Sequence, residues 1–128
     1  MAKRSIAHVE IPAPLAQYEK SAKFFKDAFG WDYQIAPVPG QESMQYGMFE
    51  TANKISGGYS YLDGKTNKAG DVVVYISSDD IEADLKNIEK FGGKKLSDKM
   101  VIPGFGELAQ FTDPNGNRLG LWKDTSGR

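Results

Sequence analysis

Two helix endings, DAFG at 27–30 and EKFGG at 89–93, constrain this chain more than any other feature. The Phe-Gly pair recurs at an offset of 62 residues, and each copy sits inside the same order of segments. SIAHVEI (5–11) alternates, with Ala7, Val9 and Ile11 on one face and Ile6, His8 and Glu10 on the other. That pattern predicts a strand covered on its odd-numbered face. YEKSAKFFKDAFG (18–30) puts Ala22, Phe25 and Phe29 on one helical face and Gly30 at the position after the helix. SMQYGMFET (43–51) and ISGGYSYL (55–62) are strand-like, the second weakened by Gly57 and Gly58. After the polar stretch DGKTNKAGD (63–71) the order restarts with DVVVYIS (71–77). A helix follows, opened by Asp79 with Glu82 three residues on. Its apolar stripe is Ile81, Leu85, Ile88 and Phe91, and Gly92-Gly93 closes it. Short strands come next around KKLSDKMVI, then GELAQFTD (106–113) and NRLGLWK (117–123), the last two joined by PNG.

Each half therefore reads β-α-β-β-β, and the glycines that interrupt the last strands, Gly57 and Gly120, repeat nearly the same offset. The expected architecture is α+β: one domain over 1–128, built from tandem βαβββ modules at about 5–62 and 71–124 with a linker at 63–70. A module whose sheet has one helix-covered face needs a partner for the other. Two such sheets curving toward each other make a cupped mixed sheet lined by the uncovered residues.

Composition narrows the function classes. The 128 residues suffice for one core. Sixteen Lys and Arg against seventeen Asp and Glu leave a net charge of −1, so no global field draws in nucleic acid or an anionic membrane. The Lys-rich segments around 20–26 and 86–99 lack the aromatic interleaving of a nucleic-acid surface. No apolar run is long enough to span a bilayer, and the start shows no signal-peptide core. Zero Cys removes thiolate chemistry and suits a cytoplasmic location. A single His, His8, is available as an imidazole ligand or near-neutral base.

HVEIP, FFKDAFGW, VVVYISSDDIEADLKNIEKFGGK and FGELAQFTDPNGNRLGLW together resemble the vicinal oxygen chelate superfamily of glyoxalases, extradiol dioxygenases, fosfomycin-modifying enzymes and bleomycin-binding resistance proteins. FGW and DPNGNRLGLW look most like its glyoxalase-related branch. The resemblance covers nearly the whole chain and implies the two-module fold, a small-molecule ligand and, commonly, a homodimer. It also implies a divalent cation held by residues of four strands. Carried onto this chain, those positions are His8, a residue at or near Gly57, one at or near Val73, and Gly120. Only His8 has a donor side chain, whereas a catalytic metal needs about three protein ligands. The expectation is a metal-free site with no cofactor. Glu10, aided by Glu50 or Gln110, is what an unconventional metal site would have to use.

The remaining candidates each have a plain structural alternative. His8 is a ligand contact or a histidine satisfied within the sheet. His8 and Glu10 are the pair a catalytic reading would use, and Glu10 is otherwise a solvated strand-end carboxylate. Strand parity puts Tyr59 and Tyr61 with Gly57, Tyr75 with Val73, and Trp122 with Gly120, so these rings either line the cup or fill it. Tyr46 lacks such an anchor. Gln110 faces the cup in one register and away in the other. Three functions stay open. They are a metal-free binding protein, a lyase or isomerase of glyoxalase type (or a dioxygenase) with an unusual ligand set, and a subunit active only in an assembly.

Overall fold

The computed structural model describes residues 3–13, 18–36, 46–61 and 68–127. The chain forms two compact units, His8–Val72 and Val73 onward, and the arm up to Ala7 belongs with the second. The segment 63–67 of the expected linker lies outside the described residues.

The N-terminal unit contains β1 (Ile6–Ala13) from His8 onward, α1 (Tyr18–Phe29), β2 (Tyr33–Ala36), β3 (Tyr46–Glu50) and β4 (Ser56–Tyr61), with a short 3-10 turn at Ala52–Lys54. Its strands run in the order β2-β3-β4-β1, with β4 parallel to β1 and antiparallel to β3. The C-terminal unit contains β5 (Val73–Ser77), α2 (Ile81–Lys90), β6 (Lys94–Lys95), β7 (Met100–Ile102), β8 (Gly106–Thr112) and β9 (Arg118–Asp124). Its order is β5-β9-β8-β6, with β7 also on β8, and again the last strand is parallel to the first. The topology is thus α+β and repeated. Tyr33–Ala36 completes the first half's strand count, which the alternation of 31–36 is too short to announce.

In each unit the strands bury one face under the unit's helix. In the N-terminal unit Ala22 of α1 meets Ala13, Phe49 and Tyr59, with Ile11, Phe25, Trp31 and Tyr33 packed around them. In the C-terminal unit Ile81 and Leu85 meet Ala109, Phe111 and Leu121, joined by Ile76, Ile88 and Leu119. Both helices end as expected on left-handed glycines, Gly30 at φ 77° and Gly92 at φ 101°.

Three helix expectations change. The N-cap of α2 is Asp80, whose carboxylate accepts from the Ala83 amide at 3.1 Å, rather than Asp79. Phe91 is 69% exposed because it is itself the C-cap, with non-helical ψ 15°, and so leaves the apolar stripe. Phe29 is 62% exposed, its ring meeting Phe24, Phe25 and Trp31 rather than the sheet. Among the described residues no helix is long and apolar enough to cross a membrane.

Candidate functional site

The strand pairings decide which residues stand opposite the helices. In the N-terminal unit His8 pairs with Ser56 and Glu10 with Gly58; Met48 lies beside Gly58 and Glu50 beside Ser56. Residues paired across adjacent strands point to the same side, so these six share the face opposite α1. His8 is fully buried and its Nδ1 lies 2.7 Å from Ser56 Oγ. Glu10 is only 4% exposed, which replaces the solvated strand-end reading with a buried carboxylate.

Gly57 belongs to the other face. It pairs with Phe49, and a Cβ on it would lie 2.0 Å from the Phe49 ring. Its missing side chain makes room for a core aromatic. The expectation that places Tyr59 with the ligand-facing residues is corrected by the same register: Tyr59 pairs with Ile11 and sits under α1, 1% exposed. Among the described residues its buried hydroxyl has no hydrogen-bond partner, and burial, the main cause, pushes its pKa up to about 12. On the side of His8, the equivalent of Gly120 is Gly58, at the same 62-residue offset as the helix endings. The side chains of Tyr46 and Tyr61 lie outside the described residues.

In the C-terminal unit Gln110 pairs with Gly120, and Gly120 with Tyr75. These three neighbours stand opposite α2, because Ala109, Leu121 and Ile76, one residue along each strand, face it. A Cβ on Gly120 would lie 2.1 Å from the Tyr75 ring, so that ring occupies the space above the glycine. Gln110 Nε2 donates to the Tyr75 hydroxyl at 2.9 Å, and Arg118 Nη1 donates to Gln110 Oε1 at 3.4 Å. Trp122, two residues beyond Gly120 on the same face, is 2% exposed, with its indole over Gly106. Val73 is likewise buried. Sequence reasoning passed over Arg118 and Ser56. Arg118 has a usable signal, being a cation two residues before the strand glycine, whereas Ser56 becomes visible only once β1 and β4 are paired.

The four-strand metal pattern does not fit these residues. His8 brings one imidazole, with Ser56 already bonded to its ring; Glu10 has a glycine opposite; Val73 has no donor; and the space at Gly120 is filled by Tyr75. Among the described residues no three His, Asp or Glu side chains gather to hold a metal ion.

Residues 5–121 match the family model of the Glyoxalase/Bleomycin resistance protein/Dioxygenase superfamily. A glyoxylase-like domain-containing protein of Didymella fabae is 33% identical over 118 residues, 88% of each chain. The anthracycline biosynthesis protein DnrV of Streptomyces peucetius is 27% identical over 116 residues, 80% of this chain but 42% of that protein, so the chain spans less than half of this longer relative. Among solved structures, methylmalonyl-CoA epimerase from Mycobacterium tuberculosis shares the fold, with TM-score 0.72 over 98% of this chain and 93% of that one, at 10% identity. The family model covers both units, and the repeated topology and shared fold agree with it: this chain belongs to the glyoxalase/bleomycin resistance protein/dioxygenase superfamily.

Proposed function

We propose that this chain is a glyoxalase-related small-molecule-binding protein that works without the superfamily's usual divalent metal, with Tyr75, Gln110 and Trp122 as its binding residues. The observation that carries this reading is the Tyr75 ring standing over Gly120, its hydroxyl bonded to Gln110. At this strand glycine, one of the four positions that the family's metal pattern would use, the chain has a buried aromatic ring hydrogen-bonded to an amide in place of a metal-binding side chain. The test is metal content per chain, on protein purified without chelators and then offered Mn, Fe, Ni and Zn. Near-zero retention is the expected result; one tightly held ion per chain overturns the reading.

A second reading has its own support. On the N-terminal unit His8 and Glu10 are both buried on one face of β1, as a general base and its partner would be in a lyase or isomerase. A retained metal would move the weight to this alternative, and glyoxalase-type isomerisation would be assayed first. For the assembly we propose a homodimer, supported by exposed Phe24 and Phe29 on α1; light scattering at micromolar concentration should give twice 14.1 kDa. The absence of Cys supports a cytoplasmic location.

A further inference from the structure

Asn115-Gly116 is the one Asn-Gly pair in the sequence, and it sits at the tip of the turn between β8 and β9. Both residues are exposed. A side chain on Gly116 would meet nothing within 4 Å, so water reaches the main-chain amide that follows Asn115. This dipeptide carries a reaction of its own. With no Cβ on the following residue to obstruct the approach, the backbone nitrogen can attack the asparagine Cγ. The N–Cγ bond forms, the Cγ–Nδ2 bond breaks, and ammonia leaves, the nitrogen having given its proton to solvent. Water then opens the cyclic imide. Cleavage between Cγ and nitrogen gives aspartate. Cleavage between the main-chain carbonyl carbon and nitrogen gives isoaspartate, in which the chain runs through Cβ.

The turn opposes that step through Asp113. Its main-chain carbonyl accepts from the Gly116 amide at 3.0 Å, so the attacking nitrogen is engaged and keeps its proton, and its own amide donates to the Asn117 carbonyl at 2.9 Å. The Asp113 carboxylate accepts from the Asn115 amide, the Asn117 amide and Asn117 Nδ2, each at 2.9 Å. These bonds, the one from the Asn117 side chain first, hold the carboxyl below its ordinary 3.8, so it remains an ionised acceptor at neutral pH. For the imide to close, the Gly116 amide must leave the Asp113 carbonyl and turn toward its neighbour's side chain. One exposed main-chain hydrogen bond is worth too little to forbid this local opening. It lowers the open population by about ten-fold.

We infer that Asn115 is a self-modifying site, converting to aspartate and isoaspartate in the folded protein, and that Asp113 is the positioning residue that sets the rate by holding the turn. Loss of ammonia makes the change one-way. Isoaspartate lengthens the main chain by a methylene between Asp113 and Asn117, whose mutual bonds close the hairpin beside the Thr112–Arg118 pair. Either product also places a second carboxylate near that of Asp113, and the like charges repel. The β8–β9 hairpin therefore loosens at its tip as the protein ages.

The test incubates the whole chain in mildly alkaline buffer and follows the peptide containing Asn115 by mass spectrometry, with fragmentation that separates aspartate from isoaspartate. A synthetic peptide of residues 111–119 supplies the rate without the folded turn. The wild-type protein should convert at Asn115, with isoaspartate among the products, about ten-fold more slowly than the peptide. Asp113→Ala should approach the peptide's rate. Asn117→Ala, which removes only the side-chain bond to Asp113, should move the rate the same way by less, and keeps the inference testable if the first variant folds poorly. Asp80→Ala weakens α2 without touching the turn and should leave the rate at the wild-type value, separating local opening from global unfolding. Conversion of Asn115 in the wild type no faster than that of Asn87 in α2 overturns the site. A wild-type rate equal to the peptide's, a rate unchanged in both turn variants, or equal acceleration by Asp80→Ala overturns the role of Asp113.

Discussion

The Tyr59 hydroxyl is buried among Ala13, Ala22, Phe25 and Phe49 and has no hydrogen-bond partner among the described residues. A desolvated, unpaired hydroxyl costs folding free energy that its ring repays through packing. Tyr59→Phe should therefore raise stability by about 1 kcal/mol in chemical denaturation. Its pH dependence is also defined. The folded state holds the phenolic proton more tightly than the unfolded chain does, with the pKa moved from 10.0 to about 12. The stability linked to that difference is complete below pH 10 and is lost as the pH rises toward about 12. The phenylalanine variant should lack that alkaline loss. Gly120 gives a second prediction. Gly120→Ala puts a methyl into the Tyr75 ring, and the displacement should cost about 1–3 kcal/mol and break the Gln110–Tyr75 bond, seen in urea unfolding. Two strand glycines, one in each unit, mark the limit of what sequence alone can tell. Gly57 and Gly120 look alike in the sequence, yet one faces the helix and the other does not. Side-chain facing is decided by pairing with strands dozens of residues away, and a slip of one residue reverses it.

At the scale of elements, local chemistry was readable and long-range register was not. The alternation in β1 places His8 and Glu10 opposite Val9 and Ile11 from local sequence alone, and the Phe-Gly endings mark both helix termini. The start of α2 was legible only to within one residue, because Asp79 and Asp80 both have capping side chains. Geometry selects Asp80. Asp80→Ala should cost about 1 kcal/mol and Asp79→Ala much less, a contrast that paired thermal melts can measure. Phe29 and Phe91 satisfy helical spacing, yet stand where each helix gives way to its terminal glycine, and there periodicity stops predicting burial. The sequence singles out Tyr75 and Gln110 only as separate residues. Their hydrogen bond follows from the three-strand neighbourhood of β5, β9 and β8, which no local window contains.

For the molecule as a whole, the arm before His8 belongs with the unit that starts at Val73. Arg4 binds Asp84 through both nitrogens at 2.8 and 3.1 Å and also donates to the Ser77 carbonyl, while the Ser77 amide donates to the Ser5 carbonyl at 3.0 Å. Ser78 adds a 2.6 Å hydrogen bond to the same carboxylate. Hydrogen bonding from Arg4, the larger cause, with help from Ser78, holds the Asp84 pKa below its ordinary 3.8. A lowered carboxylate pKa stabilises the fold above the unfolded value and ceases to do so as the pH falls through the folded one. Because Arg4 is half exposed, solvent screening limits the pair to no more than about 1 kcal/mol. Arg4→Ala should lose about that much at neutral pH, and its deficit against wild type should close as the pH drops below 3.8, measured by denaturation at a series of pH values. A fragment starting at Val73 would lack this arm.

The chain has two tryptophans, one in each unit. Trp31 is stacked between Phe25 and Phe49, at 5.2 and 4.9 Å with ring planes within 12° and 3°, and Trp122 is buried against Gly106. Each half of the repeat thus carries its own intrinsic fluorophore in an environment that unfolding would abolish. Trp31→Phe and Trp122→Phe would leave single emitters that report on one half each. Coincident melting of the two signals would mean that the duplicated halves unfold as one cooperative body, and separated transitions would mean that each keeps a stability of its own.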